Sequence, residues 1–61
     1  MKTEVIHEAG YYSVYVDGAR MVDRESFAVA DRVAECIRNP NAHPHTESRQ
    51  VADAILASRR A

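Results

Sequence analysis

Several residue types are scarce in this chain of 61 residues, and each scarcity excludes a class of protein. The single cysteine cannot form an internal disulfide, so the bridges that stabilise small secreted domains are missing. No apolar run is long enough to span a bilayer, so we expect no membrane association. The opening stretch MKTEVIHEAG lacks the apolar segment and the cleavage site of a secretory signal, which predicts a cytoplasmic protein.

An excess of charge of one sign is also missing. Eight lysines and arginines face nine aspartates and glutamates, which gives a formal net charge of -1. Proteins that bind duplex DNA take most of their affinity from basic side chains that neutralise phosphates. The charge balance therefore argues against that class, while leaving room for local basic patches.

The composition that remains is that of an ordinary globular domain, with 46% hydrophobic and 28% charged residues. A chain of this length forms one domain, residues 1–61, and buries only about 60% of the surface that its unfolded form exposes. Its stability should therefore be marginal. Either close helix packing or a partner chain must compensate for the small core.

The clearest local signal is YSVYV-DG-ARMV, which predicts two strands joined by a tight turn at Asp17 and Gly18. With those two residues in the loop, Val16 faces Ala19, and the next pairs follow by simple alternation. The inner face of the hairpin would then carry Val16, Val14 opposite Met21, and Tyr12 opposite Asp23. The outer face would carry Tyr11, Ser13 opposite Val22, and Tyr15 opposite Arg20.

A third strand is expected upstream, over residues 2–8, with a turn at Ala9 and Gly10. Together with the hairpin it would make a three-stranded antiparallel meander, which is more stable than an isolated hairpin. The adjacent apolar pair Val5 and Ile6 breaks the alternation, so the pattern leaves open which of the two points inward.

After Asp23 the apolar spacing changes from two residues to three and four, which predicts an amphipathic helix over residues 25–38 with Asp23 or Ser26 as N-cap. The helix should end at the NPN motif. Its inner stripe would consist of Phe27, Ala30, Val33, Ala34 and Ile37, with Val29 and Cys36 at the margin.

The segment NPNAHPHT is expected to be a loop, and Thr46 to be the N-cap of a second helix from about residue 47. The apolar stripe of this helix would consist of Val51, Ala52, Ile55 and Leu56. The predicted fold class is α+β: a three-stranded antiparallel meander followed by two helices packed on one sheet face.

Candidate chemical sites are weak in this chain. His43 and His45 form a lone His-x-His in a proline-bearing loop, with His7 and Cys36 elsewhere, and this differs from the usual zinc-ligand spacings. Cys36 lies near the C-terminal end of its helix, where the dipole raises a thiol pKa, which favours a buried apolar role. No Gly-rich phosphate loop is present. We therefore expect no metal, no cofactor and no enzymatic activity.

Two surfaces are candidates for partner binding. Tyr11, Tyr15 and Arg20 on the outer sheet face belong to residue types enriched at interfaces, although Tyr15 and Arg20 could simply stack as a cross-strand pair. Asp31 and Glu35 lie four residues apart on the exposed helix face. They could form a negative patch for a cationic groove, or a solvated face with mixed charges.

The run YSVYVDGARMVDRESFAVADRVAECIR, residues 12–38, resembles small single-domain proteins of bacteriophages and mobile elements, a group that includes anti-CRISPR inhibitors. The resemblance rests on its hairpin-into-helix pattern. It implies a non-enzymatic protein in the bacterial host cytoplasm that binds a subunit of a CRISPR effector complex and blocks it by occlusion. Two alternatives stay open: a small nucleic-acid-binding regulator using the tyrosines with Arg20, Arg24, Arg59 and Arg60, and a protein that self-associates as a homodimer through the outer sheet face.

Overall fold

The computed structural model describes residues 1–60, with the side chain of Arg60 excepted. Three strands come first, β1 (Thr3–Glu8), β2 (Tyr11–Val16) and β3 (Ala19–Glu25), and they pair antiparallel in the order β1-β2-β3. Two helices follow, α1 (Phe27–Arg38) and α2 (Thr46–Arg60). The α+β meander with two helices is confirmed.

Both strand connections are two-residue turns in which each central residue has a positive φ. The values are 50° and 83° for Ala9 and Gly10, and 51° and 83° for Asp17 and Gly18. This is the backbone of type I′ turns, whose twist matches that of the adjoining strands. Aspartate tolerates this conformation better than alanine does, so the turn at Ala9 is the more strained of the two.

The β2–β3 register follows the predicted alternation only near the turn. Val16 faces Ala19 and Tyr15 faces Arg20, but two register shifts follow. Val14 therefore faces Val22 rather than Met21.

Beyond the second shift, Tyr12 faces Glu25, whereas alternation had paired it with Asp23. Bulges add residues to one strand of a pair, and the positive φ of 57° at Arg24 accompanies the second shift. Val22 consequently packs against the core, so its predicted outward position was wrong.

Strand β3 continues to Glu25, and α1 begins two residues later than predicted. Ser26 is the N-cap, and its Oγ accepts a hydrogen bond from the Val29 N–H at 3.3 Å. Asp23 lies within β3 and caps nothing. Phe27, predicted as a core residue, is 55% exposed and touches Tyr12 with its ring edge at a centroid distance of 5.2 Å.

The core lies between the helices and one face of the sheet. Val14 and Val16 supply its sheet side, and Val51, predicted in the inner stripe of α2, is instead 41% exposed. The buried helix residues are Ala30, Val33, Ala34, Cys36, Ile37, Ala52 and Ile55. Thr46 is the first residue of α2 rather than its cap.

One side chain that the sequence patterns do not single out joins the helices. The Arg49 side chain is 13% exposed. Its guanidinium donates to the carbonyl oxygens of Cys36 (3.0 Å), Pro40 (3.1 Å) and Ala42 (2.9 Å). These carbonyls belong to the last turn of α1 and to the loop that follows, where acceptors lack partners within the helix. Arg49 also pairs with Asp53 at 2.9 Å.

Asp17 connects the hairpin turn to the N-terminal segment and to α2. Its carboxylate accepts from the Lys2 N–H at 2.8 Å and pairs with Arg59 Nη2 at 2.6 Å. The hydrogen bond from Lys2 is the main reason that the pKa of Asp17 is lowered, and the charge of Arg59 acts in the same direction.

A lowered pKa means that the folded state favours the carboxylate. The stabilisation is present above the unfolded pKa of about 3.9 and is lost as the pH falls through the lower folded value. We expect Asp17→Asn, which keeps a side chain suited to positive φ, to be less stable than the parent at about pH 6. Urea unfolding at decreasing pH should show the difference shrinking below about pH 4. A difference independent of pH, or an equal effect from the exposed Asp31→Asn, would contradict this expectation.

Candidate protein-binding surface

One face of the sheet carries no helix. Strand alternation and the observed register place eight side chains on this outer sheet face, since α1 packs on the opposite side and α2 packs mainly against α1. They are Glu4, Ile6, Glu8, Tyr11, Ser13, Tyr15, Arg20 and Asp23. The structure thus answers the question left by the Val5–Ile6 pair: Val5 packs on the core, and Ile6 lies half-buried on the outer face.

A network of hydrogen bonds and one ion pair crosses this face from one edge strand to the other. The Tyr15 hydroxyl lies 3.0 Å from both carboxylate oxygens of Glu8, to which it donates. Arg20 Nη1 is 3.8 Å from Glu8 Oε1. Tyr15 and Arg20 are cross-strand neighbours, as predicted, but Glu8 organises them from the other edge of the sheet. These contacts already restrict the rotamers of each side chain in the free protein. Less side-chain entropy is therefore lost when a partner binds.

The same contact affects the acidity of Tyr15. Its pKa is raised, chiefly because the hydroxyl donates to Glu8, and desolvation and the negative charge of Glu8 act in the same direction. The neutral phenol is therefore the form that the fold stabilises. That contribution is present below the unfolded pKa of about 10 and is lost as the pH rises through the folded value.

An ultraviolet titration of tyrosinate formation is expected to contain one phase later than that of free tyrosine. The late phase should disappear in Tyr15→Phe, and in Glu8→Gln it should move to lower pH because the negative acceptor is gone. Tyr11→Phe is the matched control and should leave that phase in place. Persistence of the late phase in Tyr15→Phe would show that another residue produces it.

Ser13 lies beneath this network. It points outward as predicted, yet it is only 1% exposed, and its Oγ donates to Asp23 Oδ1 at 3.4 Å. A buried, hydrogen-bonded serine on the sheet face opposite the core indicates that the side chains above it are closely packed. The centre of the outer face is therefore an ordered polar surface.

Apolar contact area lies beside this polar centre. Tyr11 is 54% exposed and stands at the end of β2 beside Glu8. Ile6 lies next to Ser13 across the β1–β2 ladder and does not belong to the core cluster. An aromatic side chain and an aliphatic one around an ordered polar centre match the composition of protein interfaces.

Asp31 and Glu35, the other predicted binding residues, are exposed on α1. The sheet lies between them and Tyr15 and Arg20, because α1 packs on the inner sheet face. The structure thus brings Tyr11, Tyr15 and Arg20 together but keeps the two acidic residues apart from them. A flat partner surface cannot contact both groups.

Sequence reasoning missed Glu8, Ile6 and Asp23 as members of this surface. The signal that could have found Glu8 is the Ala9–Gly10 turn, because a two-residue loop there places Glu8 beside Tyr11. Asp23 could not have been found in this way, since its position depends on the bulges in β3.

The remaining polar candidates do not assemble into a site. His43 and His45 are exposed in the loop, and within residues 1–60 no three His, Cys, Asp or Glu side chains form a group that could hold a metal ion. Cys36 is buried and reduced, with its Sγ 3.9 Å from the Ala42 oxygen.

A cleft of about 200 Å³ lies between the helices, which is smaller than typical ligand pockets. It is lined by Glu25, Val29, Arg32, Val33, His45, Glu47, Ser48 and Val51.

Comparison with known proteins yields no relative. No family model matches the sequence, and neither the curated proteins nor the solved structures include a match. Over the described residues, neither helix has the length and apolar character that crossing a membrane requires. The functional interpretation therefore depends on the geometry of the outer sheet face.

Proposed function

We propose that this protein is a non-enzymatic binding module that docks a protein partner on its outer sheet face. The observation that carries the proposal is the Glu8–Tyr15–Arg20 network on a helix-free face, with exposed Tyr11 beside it. Tyrosine and arginine supply large contact areas with polar ends that remain satisfied at a wet rim. A module of this kind acts by covering a surface of its partner, and this requires no catalytic group.

The pairing of the arginines and of Tyr15 with carboxylates favours a protein partner over a nucleic acid. Arg20, Arg24 and Arg59, which a phosphate-binding surface would use, are each paired with a carboxylate. Their partners are Glu8, Asp23 and Asp17 respectively. The stacking tyrosine Tyr15 is itself bonded to a carboxylate, which repels phosphate. We expect no salt-sensitive binding in fluorescence titrations with single-stranded or duplex oligonucleotides.

Capture from a bacterial lysate on the immobilised protein tests the docking surface. We expect the double variant Tyr11→Ala, Arg20→Glu to lose the captured partner, because it removes the aromatic contact and reverses a charge. Asp31→Lys is the matched control, since it reverses a charge on the far side of the sheet. Equal capture by parent and double variant, or loss only in Asp31→Lys, would refute the proposal.

A bacterial CRISPR effector subunit, in the cytoplasm of the host cell, is the partner that we propose to test first. Its support is the resemblance of residues 12–38 to small bacteriophage proteins, together with the small size of the chain. In cells whose CRISPR system destroys a targeted plasmid, expression of the protein should restore transformation, and expression of the double variant should not. Unchanged plasmid loss across the common CRISPR types would remove this partner and leave the docking proposal to the capture experiment.

A further inference from the structure

We propose that two copies of the chain associate edge to edge through β1, antiparallel, to form a continuous six-stranded sheet. The interface is the free backbone edge of β1 rather than the outer sheet face, with which it shares Glu8, and it does not depend on the proposed function. It also differs from the dimer that the sequence suggested, which used the outer face itself.

The backbone of β1 is available for this pairing. The two-residue turn makes Glu8 and Tyr11 a hydrogen-bonded pair, and hydrogen-bonded pairs then alternate with non-hydrogen-bonded pairs along the ladder. The bond from the Asp17 N–H to the Lys2 oxygen (2.8 Å) fits this alternation, because Lys2 lies six residues before Glu8. Even-numbered residues of β1 therefore direct their backbone groups toward β2. Those of Thr3, Val5 and His7 point away from the sheet.

These outward groups are nearly all unused. Within residues 1–60, the one hydrogen bond to them is from Arg38 Nη2 to the Thr3 oxygen, at 3.0 Å. The second lone pair of that oxygen can still accept a bond from another strand. The N–H and C=O groups of Val5 and His7 form a short template for strand addition.

The opposite edge of the sheet is protected against such pairing. Strand β3 contains two register shifts and a residue with positive φ, Arg24. Bulges of this kind twist an edge and interrupt its ladder. Strand β1 pairs with β2 over six consecutive residues without a shift, so it alone presents a regular edge.

Charge selects one register for the pairing. When Val5 faces Val5 of the second copy, Lys2 faces Glu8 of that copy, and the two-fold axis creates this pair twice. A slip of two residues in either direction places Glu4 opposite Glu4 or Glu8 of the second copy, and like charges directly opposite are unfavourable. The Lys2 side chain is 75% exposed and lies 3.9 Å from its nearest carboxylate, that of Glu4, so it can turn toward Glu8 of the second copy, whose side chain is 37% exposed.

Sedimentation equilibrium from about 10 µM to about 1 mM covers the range of small, transient interfaces. We expect the parent to be a dimer at the upper end of this range. Val5→Pro removes an outward N–H from the centre of the interface, at an edge position whose backbone tolerates proline, and should leave the protein monomeric throughout this range. Val5→Ile keeps the N–H and is the matched control. A monomer throughout the range, or a dimer that Val5→Pro leaves intact, would overturn the proposal.

A charge exchange tests the register without relying on proline. Lys2→Glu and Glu8→Lys should each weaken self-association about tenfold, because each places like charges opposite one another twice. An equimolar mixture of the two variants should recover the parent affinity as a heterodimer, since both charge pairs across its interface then join opposite signs. Mixing without recovery would contradict this register. Each copy carries its own outer face, so a Val5→Pro monomer that still captures a partner separates this proposal from the proposed function.

Discussion

Replacement of Arg49 by alanine is expected to lower the free energy of unfolding by about 3 kcal/mol. The guanidinium donates to four carbonyl oxygens, at 3.0, 3.1, 2.9 and 3.4 Å, and in the variant the two part-buried acceptors, those of Cys36 and Ala42, would lose this partner. Hydrogen bonds to charged groups contribute about 1.5–3 kcal/mol each, and they are not additive within one side chain. The arginine also places a positive charge at the negative end of α1.

The size of this effect matters because the domain is small. A stability of about 0.05–0.15 kcal/mol per residue gives the whole chain only about 3–9 kcal/mol. Loss of the Arg49 contacts would therefore remove a third or more of the total. Thermal unfolding should shift downward by about 12 °C or more, at about 4–8 °C for each kcal/mol.

Urea unfolding followed by far-ultraviolet circular dichroism measures the difference, with two further variants that separate its causes. Arg49→Lys keeps the charge but not the planar fork that reaches several carbonyls, so it should recover less than half of the loss. Asp53→Ala removes only the partner in an exposed pair and should cost about 1 kcal/mol or less. If Asp53→Ala matched Arg49→Ala, the ion pair rather than the carbonyl contacts would explain the effect.

The second large effect concerns two residues that the sequence places in the same stripe of α2. Ile55→Ala is expected to cost about 3 kcal/mol, because Ile55 is 6% exposed and belongs to the core cluster. Val51→Ala should cost well under about 1 kcal/mol, since Val51 is 41% exposed and leaves no closed cavity when truncated.

The same urea measurement tests which residues of α2 face the core. The sequence pattern buries both Val51 and Ile55, whereas the structure buries only Ile55. Equal losses for the two variants would mean that α2 is rotated about its axis relative to the structure. Ala57→Ser, a change on the exposed side of α2, serves as a control for the effect of helix propensity alone.

The small core bears on the proposed function. The sheet has one buried face and one free face, so substitutions on the free face can change binding without removing core contacts. Tyr11 and Arg20 are exposed and lie on that face, which makes them suitable for the capture experiment. Tyr15 and Glu8 hold each other, so a change in either one alters the shape of the surface as well as its composition.

Much of the architecture follows from local patterns. The Asp17–Gly18 turn, the change of apolar period after β3 and the NPN stop each depend on neighbouring residues, and each appears in the structure. The outward direction of Tyr11, Tyr15 and Arg20 follows from the turn through strand alternation over a few residues. These predictions succeeded because the forces that decide them act within about one turn or one pair of strands.

Alternation failed where β3 accommodates additional residues. The bulges redirect Val22 into the core and place Asp23 beside Ser13, and no local residue pattern marks their positions. Burial of a residue on an amphipathic helix also depends on how far the neighbouring elements extend over it. Phe27 and Val51 belong to the apolar stripes of their helices but are not covered by a neighbouring element, so they are exposed.

The sequence by itself determined the strand and helix order and the face on which the tyrosines lie, because turn geometry and apolar periodicity are local properties of the chain. Only the tertiary structure decided that Glu8 joins Tyr15 to Arg20, that Arg49 closes the end of α1, and that the acidic residues of α1 lie across the sheet from the tyrosines. These relations join residues that are distant along the chain, and their geometry depends on how the sheet and the helices pack against one another.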